Sequence, residues 1–446
     1  MLENSLYNQE NEIFYIPPSA KEWKRLNIGY IEIINNHSKN AEEKYEELGK
    51  AARTFIVAGS KGLTNSEVSF KNVVYTGFNA LYYKIFTEEC KKQAEDVMRK
   101  PNPQALANTA GLLDQKCSKV FLNFIMPHVK VNKRIYTLKL LPSLKLEKLM
   151  NWKDEPIQPL PINKELYIKT KMKPVPDDYV KIRILAPNTL PYESKEGIKF
   201  DKVLIDIHGG GFIATTTRCH QTYLRKWANE CNLVIFAIDY KLAPQSKYPE
   251  TLDDIWQAYY WIITYAEQEF MIDLKTVLVA GDSAGGNLAM ALTLLAIRYN
   301  ARVPDGILLG YPALNLSIYS FTPSLLGAFD DFILHYSFLV ICLNSYIPPN
   351  ADPSTDPFLS PSLIPNEDLE KFPPVRILVA GRDPLRDESY KLINRLANLN
   401  KDAKLIEYRM LPHGFWNLDM VFEIEECKLA TRKTIEWIKE LTDNKH

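Results

Sequence analysis

Ser283 stands in the run Gly281-Asp282-Ser283-Ala284-Gly285-Gly286, directly after the apolar stretch Thr276-Val277-Leu278-Val279-Ala280. A serine flanked by glycines where a strand passes into a helix is forced onto a sharp turn that lifts its hydroxyl clear of the backbone. Residues without side-chain bulk, here Gly281 and Gly285, let the strand and helix pass closely enough for that turn. Such a hydroxyl is a candidate nucleophile for acyl transfer, with Asp282 beside it as a supporting residue. The segment from Asn287 to Tyr299 is rich in alanine and leucine, as the helix after the turn requires.

A serine attacking a carbonyl creates a tetrahedral oxyanion, so fixed N–H donors should lie close by. His208-Gly209-Gly210-Gly211-Phe212 follows the apolar run Val203-Leu204-Ile205-Asp206-Ile207. Consecutive glycines let backbone N–H groups point at one spot. Gly209, Gly210 and Gly211 are the candidate donors, together with Ala284, the residue after the nucleophile. Gly210 and Gly211 are preferred, but which glycines donate stays open at the level of sequence. His208 reads as a brace for this loop rather than as a base.

The hydroxyl also needs a base, and the base an orienting acid. Asp383 follows the strand-like Val375-Arg376-Ile377-Leu378-Val379-Ala380, and an acid past a strand's C-terminal end lies on the face where such sheets place their sites. His413 sits in the short loop Leu411-Pro412-His413-Gly414-Phe415 after the strand-like run from Ala403 to Arg409. The order Ser283, Asp383, His413 along the chain is that of α/β-hydrolases and differs from other serine triads. Asp387, about one turn beyond Asp383, reads as a charge at a helix N-terminus.

These motifs, with Asp239-Tyr240-Lys241-Leu242-Ala243-Pro244, Asp383-Pro384-Leu385 and His413-Gly414-Phe415, resemble the hormone-sensitive lipase family. Val303-Pro304-Asp305-Gly306-Ile307, Tyr311-Pro312-Ala313, Pro357-Phe358-Leu359-Ser360-Pro361 and Pro127-His128-Val129-Lys130-Val131-Asn132-Lys133 are most similar to its animal-type branch. The resemblance implies an α/β-hydrolase fold and hydrolysis of carboxylic esters such as acylglycerols and sterol esters through an acyl-enzyme, without a cofactor. It also implies a cytoplasmic enzyme of lipid breakdown, with N-terminal helices that cap the site and dock on a lipid-droplet surface or form a homodimer contact. A short-chain or acetyl-ester esterase with the same chemistry, and a ligand-binding relative that has lost catalysis, are the competing readings.

Two departures from the family pattern stand out. Animal members carry a long regulatory insertion before the Asp-Pro motif, whereas only a short stretch separates Tyr346 from Phe358 here. Regulation by phosphorylation of that segment is therefore not inherited. The family's Ala-Pro-Glu triplet is Ala243-Pro244-Gln245, which replaces a charge expected behind the site by an amide.

The elements that must position these residues are legible in outline. From Tyr179 onward strand-like and helix-like segments alternate, which argues a mainly parallel sheet with helices on both faces over residues 179–446. Residues 1–150 read as a helical N-terminal module. In it Val74, Phe78, Leu81, Tyr82 and Ile85 fall at helical spacing within one long amphipathic pattern from Asn72 to Arg99, and a further helix starts at Asn102-Pro103 and ends at Pro127. Residues 151–178 carry Pro156, Pro159, Pro161, Pro174 and Pro176 and read as a linker. The aromatic and aliphatic stretch from Phe321 to Ile347 is either a substrate-facing wall or a buried helix pair.

Lysine plus arginine and aspartate plus glutamate both number 54 in the 446 residues, so the balanced charge gives no electrostatic case for nucleic acid. Lys130, Lys133 and Arg134 form a small basic cluster that reads as a solvated face. The longest apolar segment, about Phe332 to Ile347, is interrupted by His335, Ser337 and Asn344 and is too short to span a bilayer. Met1-Leu2-Glu3-Asn4-Ser5 lacks the pattern of a secretory signal. The six cysteines show no metal-type spacing and are expected as free thiols, and no zinc motif appears.

Overall fold

The computed structural model describes residues 29–34, 41–64, 70–99, 102, 105, 108–109, 132–139, 167–169, 179–187, 200–317, 319–327, 331, 333–418 and 424–443. A ten-stranded sheet organises them. Its strands are β1 (Gly29–Ile34), β2 (Asn132–Lys139), β3 (Tyr167–Lys169), β4 (Tyr179–Ala186), β5 (Lys202–Ile207), β6 (Val234–Asp239), β7 (Thr276–Asp282), β8 (Gly306–Gly310), β9 (Val375–Arg382) and β10 (Ala403–Pro412). They lie side by side in the order β1-β10-β9-β8-β7-β5-β6-β4-β2-β3. From β1 to β6 across the sheet all pairings are parallel; β4, β2 and β3 continue it antiparallel.

The helices are α1 (Ala41–Gly62), α2 (Phe70–Ile85), α3 (Thr87–Arg99), α4 (Gln221–Cys231), α5 (Glu250–Phe270), α6 (Ala284–Arg298), α7 (Pro323–Gly327), α8 (Tyr336–Tyr346), α9 (Asn366–Leu369), α10 (Arg386–Asn398) and α11 (Glu425–Asp443). Side chains alternate across a strand, so the apolar runs feed two separate cores. Val203, Ile205, Val277, Val279, Ile307, Ile377 and Val379 pack on one face with Leu288 and Leu292 of α6, Tyr259 of α5 and Ile393 of α10. Leu204, Leu278, Ala280, Leu308, Leu378 and Ala380 pack on the other with Leu224 and Trp227 of α4 and Trp437 and Ile438 of α11. Continuous rather than alternating hydrophobicity in these strands is what burial on both faces demands.

The N-terminal region differs from its sequence reading in two ways. Strands β1 and β2, inside residues 1–150, and β3, inside the stretch read as a linker, join the catalytic sheet at its two edges. The single amphipathic pattern is two helices, α2 and α3, interrupted at Phe86, although hydrogen bonds from Phe86 N to Tyr82 O and from Cys90 N to Phe86 O carry the ladder across the break. The face carrying Phe78, Leu81, Tyr82 and Ile85 is exposed, with Ile85 at 74 %. The helix expected from Asn102 to Pro127 lies mostly outside the described residues, as do Lys130 and most of residues 151–178.

Among the described residues no helix is long and apolar enough to cross a membrane, and no two cysteines are joined as a disulfide.

Candidate active site

Ser283 lies between the end of β7 and the start of α6. Its backbone adopts φ 54° and ψ −120°, a left-handed conformation that side chains rarely take. The turn is held from both sides: Ser283 N donates to Gly310 O at 2.9 Å, and Ala313 N donates to Ser283 O at 3.0 Å. The glycines act by close approach. A Cβ on Gly285 would lie 1.9 Å from Ile207 O, and one on Gly281 would lie 2.3 Å from Gly285 O. Both obstacles are backbone, so neither can swing aside.

Asp383 and His413 reach the same point from the neighbouring strand ends, β9 and β10. His413 Nδ1 lies 2.7 Å from Asp383 Oδ2, and His413 Nε2 lies 2.8 Å from Ser283 Oγ. Asp383 is itself oriented, because its Oδ1 accepts from Leu385 N at 2.8 Å. All three side chains are buried. Burial alone would push the His413 imidazole toward its neutral form, but the adjacent Asp383 charge and hydrogen bond outweigh it and raise its pKa. Asp387, expected to be a helix-terminal charge, stands in the first turn of α10 and also accepts from Ser324 N at 2.8 Å, which ties α7 to this loop.

The glycine loop leaves β5 one strand away. Gly210 and Gly211 have φ of 114° and 62°, conformations that the absence of a side chain permits. The N–H groups of Gly210, Gly211 and Ala284 have no acceptor among the described residues. Gly209, offered by the sequence as a further donor, differs: its N–H is taken by Asp282 Oδ1 at 2.9 Å. His208 is buried and faces away from proton transfer. Its ring stacks on Tyr240 at 4.1 Å, its Nδ1 lies 2.8 Å from Gly209 O, and burial beside the charge of His220 lowers its pKa to about 4.

The remaining motifs turn out to be supports. Tyr240 OH donates to His208 O at 2.7 Å, and Ala243 N donates to Phe212 O at 2.9 Å, so the Asp239–Pro244 segment braces the glycine loop. Asn287 Nδ2 donates to both Ala313 O and Leu359 O at 2.8 Å, which joins the Tyr311–Ala313 and Pro357–Pro361 segments to the start of α6. Gln245 is exposed, so it places no amide behind the site. The stretch from Phe321 to Ile347 contains α7 and α8, and α8 borders the glycine loop: a Cβ on Gly211 would meet Cys342 Sγ at 2.5 Å, and Tyr346 stacks on Phe212 at 3.9 Å.

Sequence reasoning missed a buried cluster behind the glycine loop. His220 Nε2 lies 3.1 Å from Asp282 Oδ1, Tyr223 OH donates to Asp282 at 3.3 Å and Tyr311 OH at 3.4 Å, and Asp206 is fully buried beside them. One histidine among seven, nine positions after the third glycine, gave no signal of its own.

A mainly parallel sheet with helices on both faces and a serine turn, acid and histidine at successive strand ends is the architecture of an α/β-hydrolase. A model of the α/β-hydrolase fold family matches residues 204–417. Carboxylesterase NlhH of Mycobacterium tuberculosis is 32 % identical over 222 residues, covering 49 % of this chain and 68 % of that protein. Hormone-sensitive lipase of Mus musculus is 40 % identical over 144 residues, covering 32 % of this chain and 19 % of the lipase. The match thus spans 13–19 % of the length of the hormone-sensitive lipases. Among solved structures, the Pyrobaculum calidifontis esterase superposes with a TM-score of 0.54 at 27 % identity, covering 59 % of this chain and 82 % of that one. The chain belongs to the hormone-sensitive lipase family of α/β-hydrolases.

Proposed function

We propose that the protein is a serine-dependent carboxylic ester hydrolase. The observation that carries this reading is the continuous path from Asp383 Oδ2 through the His413 ring to Ser283 Oγ, at 2.7 and 2.8 Å, on a serine held at positive φ. In the proposed reaction His413 Nε2 takes the Ser283 proton as the oxygen attacks the ester carbonyl, and Asp383 stabilises the imidazolium that forms. The oxyanion is held by the N–H groups of Gly210, Gly211 and Ala284. The imidazolium returns its proton to the departing alcohol, leaving an acyl-Ser283 ester. Water, deprotonated by His413, then releases the acid and restores the serine.

The substrates proposed are lipid esters, acylglycerols and sterol esters among them, and the setting is lipid breakdown. The relatives named lipase support the class, and the apolar helix α8 beside the glycine loop supplies an apolar wall. Residues 179–446 with the strands β1, β2 and β3 would form the catalytic unit and the helices α1, α2 and α3 a module beside it, with a lipid-droplet contact or a homodimer contact as its proposed partners. The carboxylesterase relative favours a second reading, a short-chain or acetyl-ester esterase with the same chemistry.

Two assays test this. An organophosphate such as diethyl p-nitrophenyl phosphate should leave one adduct, located on Ser283 by peptide mass spectrometry; labelling elsewhere, or none, contradicts the acyl-enzyme route. Faster turnover of emulsified dioleoylglycerol than of p-nitrophenyl acetate supports the lipid-ester reading. Turnover confined to the soluble acetate replaces it with the short-chain reading.

A further inference from the structure

The cluster behind the glycine loop is built from three separate elements: Asp206 from β5, His220 from the residue before α4, and Asp282 from the end of β7. His220 is held through both ring nitrogens. Nδ1 lies 3.1 Å from Thr216 O, a carbonyl that can only accept, and Nε2 lies 3.1 Å from Asp282 Oδ1. Nε2 also lies 3.3 Å from the N–H of Gly209, and the adjacent Asp282 carboxylate favours the imidazolium, which donates from both nitrogens. The charge of Asp282 raises the His220 pKa to about 9 against the opposing effect of burial. Asp282 Oδ1 is then shared between His220 and the N–H of Gly209, at 2.9 Å. Gly209 is the residue directly before the two glycines that carry the oxyanion donors.

Resting on the ester-hydrolase reading, we propose that the buried His220–Asp282 ion pair is a positioning device that clamps Gly209 to the nucleophile turn and so fixes the oxyanion donors relative to Ser283. Asp282 joins the two halves of the site covalently on one side, as the neighbour of Ser283, and by hydrogen bond on the other. His220 holds the Asp282 carboxylate in the orientation that reaches Gly209. Neither residue touches the substrate. Their effect is expressed when negative charge develops on the carbonyl oxygen, because donors displaced by a fraction of an ångström lose most of their value there.

Asp206 completes the cluster. Neither of its oxygens has a hydrogen-bond partner among the described residues. The titratable groups that interact with it are His220 from the cap of α4, Tyr223 of α4, Tyr240 after β6 and Asp282 at the end of β7. Burial raises the Asp206 pKa to about 8, so near neutral pH it is a carboxyl that adds no second negative charge beside the pair. Ionisation of Asp206 would give Asp282 a competitor for His220 and place a negative charge behind the oxyanion donors.

The test is the kinetics of p-nitrophenyl butyrate hydrolysis by the full chain and by His220→Ala, His220→Gln, Asp282→Asn and Asp206→Asn. His220→Ala and Asp282→Asn should lower kcat by about 10- to 100-fold with KM within about twofold, the pattern of an interaction that matters in the transition state. His220→Gln keeps a donor toward Asp282 and should recover part of the loss. Wild-type kcat should decline as pH rises through about 8, and Asp206→Asn should lack that decline. Should His220→Ala fail to fold, the glutamine and asparagine variants carry the test. A folded His220 or Asp282 variant with kcat within about twofold of wild type overturns the clamp. So does a loss that appears in KM alone. Wild type without turnover overturns the ester-hydrolase reading instead, and this inference falls with it.

Discussion

In the proposed reaction at Ser283 one proton must have one place to go. His413 must be neutral to accept it, and the Asp383 charge that raises the His413 pKa therefore sets a lower pH limit on the reaction. kcat/KM should fall as pH drops through a value above the ordinary imidazole 6.5. Asp383→Asn removes the raising charge, so the acid limb should move to lower pH while kcat falls by about 10³- to 10⁴-fold. A pH–rate profile of both proteins checks this; an unmoved limb contradicts the assignment of Asp383. The triad and the glycine loop were legible because each sits in a local pattern that announces a turn: glycine, strand, then a functional side chain. His220 and Asp206 were not. Their meaning arises only when β5, β7 and the cap of α4 converge, and no local spacing encodes that convergence. The same holds for Gly209, whose N–H is directed at Asp282 and His220.

Among the elements, the β7–turn–α6 unit is the least tolerant of change. Gly285→Ala places a methyl 1.9 Å from the Ile207 carbonyl, and both partners are fixed in the sheet and helix. A cost of about 2–3 kcal/mol is expected, read as a Tm lower by about 5–10 °C with activity lost alongside. Unchanged stability would mean that strand and helix are farther apart than described. The strands β5, β7, β9 and β10 were readable because burial on both faces makes them unbroken apolar runs ending in turn residues. The strands β1 and β3 at the two edges were not, because an edge strand needs no such run and β3 lies among prolines that argue for a linker; β2 beside β3 is the mixed sequence Asn132-Lys133-Arg134-Ile135-Tyr136-Thr137-Leu138-Lys139 and carries no such run either. The apolar spacing on α2 reports that a face is apolar and not what it packs against: Phe78, Leu81 and Ile85 are exposed.

For the molecule as a whole, the buried cluster makes stability depend on pH. His220 is raised from 6.5 to about 9, so the stability it contributes is complete below 6.5 and is lost as pH rises toward 9. Asp206 is raised from 3.8 to about 8, and its contribution is likewise lost as pH rises across that interval. Both act in one direction: Tm should fall between about pH 6.5 and 9 and fall less in His220→Gln, measured by calorimetry. A Tm that stays level or rises over that range contradicts the charge states assigned to the cluster. The sheet, its two cores and the convergence of three strand ends on Ser283 serve one claim, that this chain cleaves carboxylic esters through that serine. The most direct measurement is turnover of p-nitrophenyl butyrate by the purified full chain beside Ser283→Ala. Turnover by wild type with a loss of about 10⁴-fold or more in the variant is the predicted result. Absence of turnover in folded wild type, or equal rates in the two proteins, would contradict the claim.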